Sequence, residues 1–129
     1  MLGSERSSIS ILKLQDCGFT FIGANTLFKA IKYSRSVKEL YVDKNKLSSS
    51  NFGDLRLFLW TNNSLKTLSM NSCRIGTKGG YAIAEGFVRN NFLTHLYLTN
   101  NYISDEAGKE ILSGLQFPRR CPIEVMDLS

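Results

Sequence analysis

Apolar residues recur along this chain at a constant interval of 28 positions. Between Leu93 and Ile103 they fall at 93, 96, 98 and 103, with Asn101 between the last two. The same frame returns as Leu65, Leu68, Met70, Cys73 and Ile75, and again as Val37, Leu40, Val42, Asn45 and Leu47. It begins as Ile9, Leu12, Leu14, Cys17 and Phe19. Within each frame apolar and polar residues alternate, the period of a short half-buried strand. Leu40-Tyr41-Val42 and Leu68-Ser69-Met70 are the clearest cases.

After each frame the period lengthens to that of a helix. Gly23 opens one such stretch, with Leu27, Phe28 and Ile31 on a common face. Leu55 and Leu59, Ile83 and Phe87, and Ile111 and Leu115 repeat the Leu27/Ile31 pair in register. One of Ser48, Ser49 and Ser50 is expected to cap the second helix, and Ser104-Asp105-Glu106 the fourth. Gly76, Gly79 and Gly80 are expected to precede the third helix, where they permit a tight turn and close helix packing. They match neither glycine-rich phosphate pattern. Pro118 and Pro122 end the fourth helix, and two added residues move the next frame to Ile123, Met126 and Leu128.

This register divides the chain into a polar, flexible lead-in over 1–8 and one domain over 9–129. Its repeats run 9–36, 37–64, 65–92 and 93–122, with a fifth starting at 123. Phe52 aligns with Ala24 and Gly80, and Phe58 with Ala30 and Gly86, so each large ring is expected to face small residues on both neighbours. Trp60 aligns with Lys32 and Val88, lacks that explanation, and is expected to be half exposed, a minor candidate contact point.

The frames Leu65-x-x-Leu68-x-Met70-x-x-Cys73-x-Ile75 and Leu93-x-x-Leu96-x-Leu98-x-x-Asn101-x-Ile103 fit the leucine-rich repeat pattern. The chain resembles the ribonuclease-inhibitor type of leucine-rich repeat, also found in Ran GTPase-activating protein and the sensor ends of NOD-like receptors. That resemblance implies an α/β solenoid of about four and a half repeats, with a parallel sheet on the concave face and helices on the convex face. Stacked coils then share one core that no single coil could bury. The Asn/Cys position is expected to point inward, where a polar side chain satisfies the turn's backbone groups. Each such group left unpaired costs about 1–3 kcal/mol. Cys17 and Cys73 are therefore read as structural, inward-facing and too far apart to bridge.

Three cysteines, an odd number, argue against a disulfide framework and for a reducing compartment. With no apolar leader at the start and no run long enough to span a bilayer, a cytoplasmic location is expected. The net charge of +5 is spread along the chain rather than gathered in a stripe, which makes nucleic acid an improbable partner. Lys29, Lys32, Arg35, Arg56 and Arg89 belong to the expected convex side. The sequon Asn62-Asn63-Ser64 is expected to be idle.

His95 is the single histidine and has no cysteine at its level, no two carboxylates share a row on adjacent repeats, and the cysteine spacing suits no zinc site. Cys121 after Arg119-Arg120 would have a lowered pKa, yet nothing else marks a nucleophile. No enzymatic activity, cofactor, metal or small-molecule substrate is expected. Relatives of this type bind other proteins on the concave face and its rim. The residues that would line that surface here are Lys13, Glu39, Tyr41, Asp43, Lys44, Ser69, Asn71, His95, Tyr97 and Thr99. Tyr41 and Tyr97 would stand roughly 10 Å apart, two strands of about 4.8 Å spacing. The expected function is that of a non-catalytic protein-interaction module or scaffold. One alternative is a GTPase activator of the Ran-directed type, using the rim residues Asp16, Lys44 and Asn100; another is the ligand-sensing segment of a NOD-like receptor. Neither end shows a polar cap, so a larger chain or an assembly covering the ends is also expected.

Overall fold

The computed structural model describes residues 9–49, 51–114 and 124–128. Among these residues, five three-residue strands alternate with four helices. The strands are β1 (Ile11–Lys13), β2 (Glu39–Tyr41), β3 (Thr67–Ser69), β4 (His95–Tyr97) and β5 (Val125–Asp127). The helices are α1 (Phe21–Ile31), α2 (Gly53–Thr61), α3 (Gly76–Phe87) and α4 (Asp105–Ser113). All strands pair in parallel in chain order. Leu12, Leu40, Leu68, Leu96 and Met126 form one row across the sheet. The last step of this row spans two residues more than the others, so the added pair before β5 lies in the connection and leaves the register intact. Ile123 itself, with Leu115, Pro118, Cys121, Pro122, Ser50 and the 1–8 lead-in, lies outside the described residues.

Leu40, Leu68 and Leu96 are fully buried, as are Ile31, Ile83, Phe87 and Ile111 from the helices. Burying one such side chain stabilises the fold by about 1.5–3 kcal/mol. β2 and β4 show alternate faces: Leu40 and Leu96 point into the core while Glu39, Tyr41, His95 and Tyr97 stay half-buried on the other side. Strands lie about 4.8 Å apart and packed helices about 8–10 Å apart. A stack of strand–helix coils must therefore bend with the sheet inside.

The helix starts differ from expectation in three places. α1 begins at Phe21, so Gly23 lies within its first turn. α2 is capped by neither Ser48 nor Ser49; Phe52 is its N-cap residue, without a side-chain bond, and Asn51 Oδ1 accepts the Gly53 N–H at 2.8 Å. Gly79 and Gly80 sit inside α3, buried, instead of preceding it. Close packing is their role: a Cβ on Gly79 would lie 3.1 Å from Phe52 Cζ, and one on Gly80 3.0 Å from Ala107 Cβ. Ser104 does cap α4, accepting the Ala107 N–H at 3.2 Å.

The expected pairing of large rings with small residues is shifted. Phe52 meets Gly79 rather than Gly80, and Gly86 faces the Leu59 side chain and the Arg56 carbonyl oxygen. Ala30 is exposed, and Phe58 stacks instead on Phe28 with ring centroids 5.4 Å apart. Packed helices meet through side chains that interlock between one another's positions, so the residue facing a given ring is one or two places from its equivalent in the neighbouring repeat.

Candidate protein-interaction surface

Two side-chain ladders hold the coils at constant spacing and so position the exposed rows. In the first, Asn45 donates from Nδ2 to Leu14 O (2.9 Å) and Val42 O (2.8 Å) and accepts at Oδ1 from the Cys17 and Phe19 N–H groups. Asn101 does the same for Met70 O, Cys73 and Ile75. Cys73 is buried and its thiol donates to Val42 O at 3.2 Å, as an inward structural position requires. Cys17 departs from that expectation. It is exposed, and its thiol reaches no farther than Gln15 O on its own turn. Among the described residues no coil stands in front of the first one, and none of them covers that slot. Neither cysteine is bridged.

The second ladder escaped the sequence reading. Asn62 Nδ2 donates to Ile31 O at 3.1 Å while its Oδ1 accepts from Ser64 and Leu65 N–H, and Asn90 repeats the arrangement with Leu59 O, Phe92 and Leu93. Ser34 holds the same place one repeat earlier, accepting the Val37 N–H. The signal was present: asparagine recurs at 62 and 90, one period apart, just after each helix. Asn62 is only 4% exposed, which removes the sequon's asparagine from reach in the folded chain.

Seven of the ten expected surface residues come together. Glu39, Tyr41, Asp43, Ser69, Asn71, His95 and Tyr97 line a hollow of about 540 Å³ on the sheet face, with Thr67 between Glu39 and His95. Lys13, Lys44 and Thr99 stand outside it. Lys13 lies at the β1 edge with Nζ 6.0 Å over the Tyr41 ring. Lys44 borders a second hollow of about 360 Å³ on the rim with Asp16 and Ser72. Asp16, Lys44, Ser72 and Asn100 all hold left-handed backbone (φ 51 to 59°), so this rim is a repeated turn that presents its side chains outward.

The hollow is internally braced. Tyr41 donates its hydroxyl to Glu39 Oε1 at 2.6 Å. That bond, then burial and the neighbouring negative charges, pushes the phenol up to about 12. Ser69 is buried, and its hydroxyl is committed to Asp43 Oδ1 at 2.6 Å; it forms a floor rather than a contact. Asp43 Oδ1 also accepts the Asn71 N–H, and Asn71 Oδ1 the Thr99 N–H, so these two side chains tie adjacent coils. His95 has Nδ1 2.9 Å from Thr94 Oγ1 and Nε2 3.8 Å from Glu124, and its ring lies 6.4 Å from Tyr97. Asp127 extends the Tyr41–Ser69–Tyr97 row onto β5. The displaced frame at Met126 already placed Asp127 in that row, so it was readable from the sequence.

On the convex side Lys29 pairs with Asp54, Arg56 with Glu85, and Arg89 lies 4.7 Å from the Trp60 ring centre. Trp60 is 44% exposed, as its register suggested. Among the described residues no group of three or more His, Cys, Asp or Glu is placed to hold a metal ion, and no helix is long and apolar enough to cross a membrane.

Comparison with known proteins agrees with this architecture. The leucine-rich repeat family profile matches residues 61–84 and 89–112. The human NACHT, LRR and PYD domains-containing protein 5 is 30% identical over 96% of this chain, which spans 10% of that protein. Mouse ribonuclease inhibitor is 28% identical over 92% of the chain, which spans 26% of it. The tropomodulin C-terminal domain of Caenorhabditis elegans superposes with a TM-score of 0.54 at 13% identity, covering 89% of this chain and 87% of that one, a likeness of fold.

Proposed function

Because the chain is a leucine-rich repeat protein of the ribonuclease-inhibitor type, we propose that it is a non-catalytic interaction module, binding another protein through the concave sheet face and adjoining rim. One observation carries this reading: the hollow in which Tyr41 and Tyr97 flank Ser69, with Glu39, Asp43 and His95 around them. Tyrosines with a polar surround supply large, rigid contact area and hydrogen-bonding tips, the composition of interface hot spots. The residues assigned to the contact are Lys13, Glu39, Tyr41, His95 and Tyr97, with Lys44 and Thr99 at the margin. Ser69, Asp43 and Asn71 hold the surface in shape.

Capture from a native lysate by the purified chain, followed by mass spectrometry, tests the reading. The Tyr41→Ala/Tyr97→Ala double variant should lose its captured partner while keeping its melting temperature within a few degrees. Capture that is undiminished by the double variant overturns the face assignment. A narrower second reading, a ligand-sensing segment of a NOD-like receptor, draws on the alignment with NACHT, LRR and PYD domains-containing protein 5. A nucleotide-binding domain encoded upstream in the gene would support it.

A further inference from the structure

We propose that the hollow between Tyr41 and Tyr97 is an arginine slot, so that the partner met on this face inserts a guanidinium there. The inference rests on the concave-face reading and adds the chemistry of the occupant.

Charge is the first argument. The chain carries +5 overall, yet the formal charges lining this hollow are the carboxylates of Glu39 and Asp43. Among the described residues neither is in an ion pair; the three that form involve Lys29, Arg56 and His95 with other acids. Both are half-buried, where an uncompensated charge is screened less than at the open surface. Their internal bonds use Glu39 Oε1 and Asp43 Oδ1. Glu39 Oε2 and Asp43 Oδ2 remain to accept N–H groups from an incoming cation.

Shape is the second. Ser69 is the small residue between two tyrosines in one row, buried and turned aside toward Asp43. Backbones two strands apart are separated by roughly 10 Å. A flat group stacked between two rings needs about 3.5–4 Å on each side, so the gap admits one planar group. A guanidinium is planar, stacks on aromatic faces and presents five N–H donors in a fixed fork. An ammonium is compact, more strongly hydrated and has no face to stack. Tyr41 already attracts a cation on its β1 side, where Lys13 Nζ lies 6.0 Å over the ring.

The test is a ¹H–¹⁵N titration of the purified chain with acetyl-Gly-Arg-Gly-amide, with the citrulline and lysine peptides in parallel. Citrulline keeps the shape and loses the charge; lysine keeps the charge and loses the plane. Saturable shifts are expected at the Tyr41, Ser69, Asn71 and Tyr97 amides for the arginine peptide. The citrulline peptide should bind about tenfold weaker, and the lysine peptide also weaker than arginine. Glu39→Gln, which keeps an acceptor for the Tyr41 hydroxyl, should reduce arginine affinity by about tenfold with the rest of the spectrum unchanged. No saturable shift at these amides, or citrulline or lysine binding as tightly as arginine, overturns the proposal. If Tyr41→Ala/Tyr97→Ala abolishes partner capture while the arginine peptide shifts nothing, the slot fails and the concave-face reading stands. If capture is also unaffected, both fail.

Discussion

Asn101 Oδ1 accepts the backbone N–H of Cys73 at 2.7 Å, one full repeat away, while its Nδ2 donates to Met70 O at 2.7 Å. Both residues occupy the same slot of their own coils, and one holds the other in place. Asn101 is buried, so removing its amide strands the Cys73 and Ile75 N–H groups and the Met70 carbonyl. Asn101→Ala should destabilise the chain by about 2–4 kcal/mol, since each stranded group costs about 1–3. Cys73→Ala should cost less, because Val42 O keeps its bond from Asn45 Nδ2. Urea unfolding of the two variants gives the comparison; equal losses would mean the asparagine ladder carries no special share.

Two helical glycines should respond in opposite directions to alanine. On Gly86 a Cβ would lie 2.9 Å from Arg56 O and 2.7 Å from Leu59 Cβ, and these α2 atoms cannot swing aside. Gly86→Ala should therefore cost about 1–3 kcal/mol. Gly108, inside α4, has nothing within 4 Å of its added Cβ. Gly108→Ala should stabilise by about 0.5–1 kcal/mol through helix propensity. Thermal melts of both single variants decide it.

The two described cysteines should differ in reactivity. Cys17 is exposed and should be alkylated in the native state; buried Cys73 should be protected until the chain unfolds, as peptide mapping will show. Burial pushes the Cys73 thiol up to about 11 from its ordinary 9.0. The folded state thus favours the protonated thiol. That contribution to stability is intact below pH 9.0, and falls as pH rises toward about 11. The full loss is about 2–3 kcal/mol at most. Unfolding midpoints at pH 8 and pH 10.5 should fall further apart in the wild type than in Cys73→Ala, which retains Tyr41 and its own alkaline titration.

Trp60, the single tryptophan, reports on the convex face. At 44% exposure its emission should be quenched readily by acrylamide. Arg89→Ala should increase the quenching, because the guanidinium covers the ring, and change stability by less than about 1 kcal/mol. Quenching unchanged by the variant would mean Arg89 does not cover the ring in solution.

The sequence by itself determined the interval, the strand register and the inward rows. Leu40, Leu68 and Leu96 can be buried only if successive coils stack in phase, so hydrophobic periodicity was enough to place them. It also marked Asn45, Asn101 and Cys73 as turn-satisfying positions, because a buried turn must pair its backbone groups. Tertiary structure alone decided where helices face one another. There the interlocking of side chains between neighbouring helices set Phe52 on Gly79 and Phe58 on Phe28. It also decided which members of an outward row are accessible: Ser69 belongs to the same row as Tyr41, yet its hydroxyl turns down to Asp43 and leaves a hollow between two rings. Cys17 shows the same limit, since a slot is inward only when a neighbouring coil closes it. Periodicity names the slot; what fills the space beside it depends on contacts between coils that no single stretch of the chain encodes.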